Sequence, residues 1–136
     1  MSDILVVMKD ITKEWFLQSD YDFGTAQAML QSDRYVYVIF MCHLSLEKAI
    51  KGLYFEILNK VPPRSHDLLY IAKQLELTLP EVINFFFSTI DDVSFSTRYP
   101  ENFAKALRSY SRDRAVEMIR NTEDTITWIK KQLTEL

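Results

Sequence analysis

The sequence predicts an all-α protein, a four-helix-type up-and-down bundle of three long helices and a short helix pair. Three observations carry that expectation. Only two glycines and four prolines occur in 136 residues, too few turn-forming residues for an eight-strand sandwich or barrel. Apolar residues recur at alternating steps of three and four, the period of one helix face. The long segments also match in length: the second, at about 25 residues, spans roughly 37 Å, and the other two are similar.

The first helix is expected over about Asp10 to Gln31, with Ile11, Trp15, Ala26 and Met29 on one face and Gln18 and Asp22 falling on the same line. The second, about Tyr35 to Asn59, repeats Ile39, His43, Leu46, Ile50, Leu53 and Ile57, the seam of antiparallel helix packing. Its N-terminal half is apolar on nearly every side (Val36, Tyr37, Val38, Phe40, Met41), which makes it central or shared with a second subunit. Pro62 and Pro63 end it. Ser65 can cap a short helix from about His66 to Leu75. Thr78-Leu79-Pro80-Glu81 has the spacing of a capping box, so a further short helix should run to about Ile90. A loop is expected from Asp91 to Arg108, because Pro100 disfavours helical backbone at Tyr99. The last helix, capped by Ser111, carries the clearest stripe: Ala115, Ile119, Thr122, Ile126, Ile129, Leu133 and Leu136. No repeat or composition shift divides residues 1–136, so one helical domain is expected.

Composition narrows the function classes. Nineteen acidic against sixteen basic residues give a net charge of -3, without the basic excess that coats duplex DNA or RNA. The longest uncharged stretch, Tyr35 to Leu46, is well short of the roughly 18 residues of a membrane span. Asp3 precedes the apolar Ile4 to Met8, and no basic leader or small-residue cleavage site accompanies it. A lone cysteine, Cys42, has no intrachain partner, so a reducing cytoplasm is the expected location. The common nucleotide-loop, metalloprotease and hydrolase signatures are absent.

The informative residues are polar groups where burial is expected. His43, Glu47 and Lys51 lie at i, i+4 and i+8 on the second helix and form one strip, which Asp22 could meet if the first two helices are antiparallel neighbours. Such a group could hold a histidine in one tautomer or receive a ligand. Glu47 and Lys51 could equally be an ordinary stabilising pair, and a core histidine is usually just hydrogen-bonded. His43 and Glu47 offer two metal ligands where a closed zinc site wants about four, so no metal or other cofactor is expected. The apolar neighbours of Cys42 should raise its pKa, which marks a core residue rather than a nucleophile. Trp15, Phe85, Phe86, Phe87 and Trp128 read as core or dimer contacts. Arg98-Tyr99-Pro100 sets a guanidinium and a ring beside a rigid turn, parts that suit phosphate and base recognition. Residues 98–120 hold six basic and three acidic side chains, which could also be a solvated face.

Taken together these elements resemble the HEPN family (higher eukaryotes and prokaryotes nucleotide-binding domains). Asp22-Phe23 followed by Ala26 is similar to the family's Asp-Leu pattern on the first helix. Cys42-His43 leading into Glu47-Lys48-Ala49 and Lys51 is similar to its second-helix signature. His66-Asp67-Leu68 corresponds to a His-x-Leu start of a short helix, and Arg98-Tyr99-Pro100 to an Arg-Tyr-Pro loop. The resemblance covers about Asp10 to Leu133 and implies a helical bundle, often a homodimer. Small members are commonly encoded beside a minimal nucleotidyltransferase that they bind, in several cases as toxin and antitoxin. Many family members are ribonucleases with an Arg-x4-6-His motif. Here that motif is absent: Arg34 lies nine positions before His43, Arg64 lies two before His66, and no histidine follows Arg98.

The expected function is therefore a nucleotide- or phosphate-binding HEPN module that partners a minimal nucleotidyltransferase, with Asp22, His43, Glu47, Lys51, Arg98 and Tyr99 as candidate binding residues. Two alternatives belong to other classes. One is a ribonuclease toxin with His43 as general base. The other is a purely structural oligomerisation subunit with the apolar second helix as its interface.

Overall fold

The most apolar helix lies at the centre. The computed structural model describes residues 8–96 and 99–136, in which six helices follow one another: α1 (Asp10–Gln31), α2 (Tyr35–Leu58), α3 (Leu68–Lys73), α4 (Glu81–Ser96), α5 (Pro100–Ser109) and α6 (Arg112–Leu133). No strand occurs among the described residues. Fourteen of the 24 residues of α2 are buried, more than a single seam requires, because α2 packs against all five other helices. Its core face, Ile39, Leu46, Ile50 and Leu53, is fully buried. Asn59 ends the helix in the left-handed region at φ 53°, its amide donating to the Phe55 carbonyl at 2.8 Å.

The packed face of α1 differs from the expected one. Thr12, Phe16, Ser19 and Ala26 are buried, whereas Ile11 is 52% exposed and Gln18 faces solvent. The physical reason is close approach to α2. Ser19 Oγ donates to the Ser45 carbonyl and Ser45 Oγ to the Ser19 carbonyl, each at 2.8 Å. A Cβ on Gly52 would lie 3.0 Å from both Trp15 Cβ and Phe16 Cε2. Small side chains thus admit the neighbouring helix, and hydroxyls paired across the interface occupy positions that a hydropathy reading assigns to water. The turn into α2 is a Schellman motif with Asp33 in the left-handed position (φ 59°): Arg34 N donates to Met29 O at 2.8 Å and Asp33 N to Leu30 O at 3.1 Å.

The segment after α2 needs three corrections. Asp67, not Ser65, caps α3, accepting from Tyr70 N at 3.1 Å, while Ser65 Oγ accepts from Asp67 N at 3.0 Å. The Thr78 capping box does not form, since α4 starts at Glu81 with the Pro80 carbonyl accepting from Asn84 N. The expected loop 91–108 is mostly helix. The stripe Ile83, Phe87, Ile90 continues to buried Ser94, so α4 runs on to Ser96. Tyr99 is extended, as the following proline requires, but it serves as the N-cap of α5 with Pro100 in the first turn. Glu101 in the first turn and Arg108 in the last complement the dipole of α5, and Ala106 is buried beneath it.

α6 follows its expected cap and stripe. Ser111 Oγ accepts from Arg114 N at 3.2 Å, and Ala115, Thr122, Ile126, Ile129 and Leu133 are buried. Leu136, past the helix end, is exposed. Of the expected core aromatics, Phe86 and Phe87 are buried while Phe85 is 73% exposed. No helix among the described residues is long and apolar enough to cross a membrane.

Candidate functional site

One face of α2 breaks the apolar rule: His43, Glu47 and Lys51, one turn apart in succession, are all buried. Removing a carboxylate and an ammonium from water costs several kcal/mol per ion unless each is paired and hydrogen-bonded. Both are. Glu47 Oε2 accepts from Lys51 Nζ at 2.9 Å, and Glu47 Oε1 from His66 Nδ1 at 2.8 Å. His66 arrives on the segment that the double proline turns away from α2. On the next turn, His43 Nε2 donates to Asp91 Oδ1 of α4 at 2.9 Å. Asp91 also accepts from the Leu68 amide at 3.1 Å and the Leu69 amide at 3.5 Å, so one carboxylate joins α2, the start of α3 and α4.

These pairings fix the protons. An ionised carboxylate only accepts, so His43 carries hydrogen on Nε2 and His66 on Nδ1. His43 is 2% exposed. The His66 side chain is 62% exposed, with Nδ1 anchored and Nε2 as its second nitrogen. Both imidazoles, the chain's only two, line an open cleft of about 410 Å³. Asp67, Asp91 and Asp92 line it too, as do Phe95 and Tyr99. The Phe95 and Tyr99 rings stand 4.8 Å apart, tilted by 45°, and both are substantially exposed.

Burial alone would raise the Glu47 carboxyl, but the hydrogen bonds from Lys51 and His66, with their positive charge, outweigh it and hold its pKa below the ordinary value. A carboxylate lowered on folding stabilises the native state above its unfolded pKa, and that contribution is lost as pH falls through the folded value. Acid denaturation between about pH 5 and about pH 3 should therefore be shallower in Glu47→Gln than in the parent. Urea titrations across that range would measure it, and equal slopes would remove Glu47 from the acid response.

Of the residues expected at a site, the structure brings together His43, Glu47, Lys51 and Tyr99. Asp22 lies elsewhere, its carboxylate accepting from Lys48 Nζ at 3.3 Å. Lys48 is one residue, roughly 100°, around the helix from Glu47 and faces α1, whereas the strip faces α3 and α4. Arg98 lies outside the described residues. The sequence reading omitted His66, Asp91, Asp92 and Phe95 from the site. His66 had a signal in its short motif after the prolines; the aspartates and Phe95 had none, falling at the edge of an expected loop. Cys42 is fully buried, and burial pushes its thiol up to about 12. Among the described residues no group of three or more His, Cys, Asp or Glu side chains is placed to hold a metal ion.

A sequence model of the HEPN domain matches residues 12–132. The chain belongs to the HEPN domain family. This HEPN chain is also similar to two solved structures. The structure of TT1696 from Thermus thermophilus superposes with a TM-score of 0.80 at 22% identity, covering 90% of this chain and 98% of that one. ST0689, an archaeal HEPN homologue, gives a TM-score of 0.71 at 21% identity, covering 90% and 97%. At these identities the likeness is one of fold. No curated protein matches the chain.

Proposed function

We propose that this HEPN domain protein holds a nucleotide, free or within single-stranded RNA, in the cleft between α2, the start of α3 and α4, and partners a minimal nucleotidyltransferase in a toxin–antitoxin pair. The observation that carries the binding reading is the convergence of two carboxylate-held imidazoles and an exposed aromatic pair on one cleft. An exposed ring offers a stacking face that any base can use. Imidazole and hydroxyl groups can hydrogen-bond sugar or phosphate. Arg98, next to Tyr99 in the sequence, is the proposed phosphate partner. The nucleotidyltransferase partnership rests on the family resemblance, and co-purification of the two proteins tests it. A homodimer is supported by the groove of about 400 Å³ between α4 and α6, where Val82 and Phe85 are exposed beside Met118.

Isothermal titration with nucleoside monophosphates and a short single-stranded RNA tests the binding. Saturable heat is expected, weakened by about tenfold or more in Tyr99→Ala, since stacking on one ring is worth about 1–3 kcal/mol. A folded protein that gives no saturable heat with any of them overturns the reading and leaves a structural oligomerisation role, for which no ligand would raise the melting temperature.

A ribonuclease reading is favoured by one observation, the presence of both histidines in the cleft. His43 is buried with Nε2 engaged, so His66 is the imidazole within reach of RNA. Metal-free cleavage of labelled RNA that His66→Ala abolishes would support this reading over simple binding.

A further inference from the structure

The three carboxylates of the cleft are not equivalent. Asp67 is committed to the α3 cap through Tyr70 N at 3.1 Å. Asp91 is committed to His43 and the Leu68 amide. Asp92 is exposed, lines the same cleft, and makes no hydrogen bond or ion pair among the described residues. It stands three residues before Phe95 on α4, so both share one helix face. Phe95 in turn meets the Tyr99 ring at 4.8 Å with a 45° tilt. No lysine or arginine lines the cleft among the described residues. A ligand beside Asp92 meets two acceptor oxygens and no donor from that side chain.

We infer that the cleft selects guanine, with the base stacked on the Phe95–Tyr99 pair and its Watson–Crick edge against Asp92. This deepens, and rests on, the nucleotide-binding reading above. The selection follows from the edges of the four bases. A carboxylate has two parallel acceptor oxygens and no donor, and guanine alone presents two adjacent donors, N1–H and N2–H, that match them in bidentate fashion. Adenine offers its amino group beside an acceptor, N1, which the second oxygen repels. Cytosine does the same through N4 and N3. Uracil places one N–H between two carbonyls, both repelled by the carboxylate. The acidic lining thus rejects three bases and accepts the fourth, while the ring pair holds any base it is given. His66 lines the same cleft and is left to the sugar or phosphate.

Calorimetric titration with GMP, IMP, AMP, CMP and UMP tests this directly. A good bidentate contact discriminates by about ten- to a hundredfold, so GMP should bind by that factor more tightly than AMP, CMP or UMP. IMP, which keeps N1–H and lacks the amino group, should fall between. Asp92→Asn should abolish the GMP preference and tighten AMP and CMP, because the amide sets one acceptor and one donor against their amino group and ring nitrogen. Asp92 is exposed and makes no hydrogen bond or ion pair among the described residues, so the variant should melt with the parent, and the IMP comparison needs no variant at all. Equal binding of GMP and AMP, or a GMP preference that survives Asp92→Asn, overturns the guanine assignment and leaves nucleotide binding standing. Binding of none of the five by the folded protein overturns both.

Discussion

Replacing Lys51 with alanine should destabilise the protein by about 3–5 kcal/mol, the usual cost of removing one partner from a buried ion pair. Lys51 and Glu47 side chains are 9% and 4% exposed, and without the ammonium the Glu47 carboxylate keeps, among the described residues, only His66 as a hydrogen-bonding partner. Urea unfolding at neutral pH measures the loss. A cost below about 1 kcal/mol is the surface-pair value and would show that water reaches the pair. The decisive companion is Glu47→Leu with Lys51→Leu, which removes both charges and should be close to neutral or stabilising. The same double variant leaves His66 without its anchor, so nucleotide binding should weaken in a protein whose fold is intact. That combination separates the two roles of the pair. Burying a charged pair where two leucines would pack is a poor way to stabilise a bundle, and orienting an imidazole at a cleft is a reason to retain it.

Asp91→Ala should cost roughly 1–3 kcal/mol, combining loss of a helix cap with loss of a hydrogen bond from a buried donor on α2. The donor is His43 Nε2, and the capped amides are those of Leu68 and Leu69. Hydrogen exchange at these two amides should quicken more than at the centre of α6, because the variant loosens the start of α3 specifically. Asp91→Asn keeps one acceptor oxygen and should recover about half of the loss. If exchange at Leu68 is unchanged in Asp91→Ala, the carboxylate does not hold α3 to α4 in solution.

The fold was largely legible because α2 and α6 state their roles locally. The apolar band of α2 requires neighbours on all sides, and Ser111 followed by a four-three stripe specifies both the cap and the face of α6. α5 was hidden by reading Pro100 only as a breaker. A proline forbids helical backbone before itself and favours a helix after itself, and Glu101 and Arg108 at the two ends completed that second signal. The face of α1 was hidden for a different reason: its contact with α2 depends on what sits opposite, and Ser19 reads as polar until Ser45 is seen to pair with it. The site divides along the same line. His43, Glu47 and Lys51 were visible because one helix spaces them. His66 and Asp91 come from segments 19 and 48 residues away from their α2 partners, joined by hydrogen bonds that no periodicity announces. Asp92 enters the cleft only because α4 carries it there beside Asp91.

Cys42 has a practical consequence. Alkylating reagents attack the thiolate, and a fully buried thiol raised to about 12 offers almost none at neutral pH. The native protein should pass through maleimide treatment unmodified while folded. A cysteine introduced at an exposed position such as Ser88 of α4 would then be the single reactive group, and a fluorophore could be attached to the helix that carries Asp91 and Asp92 without first removing Cys42 from the core.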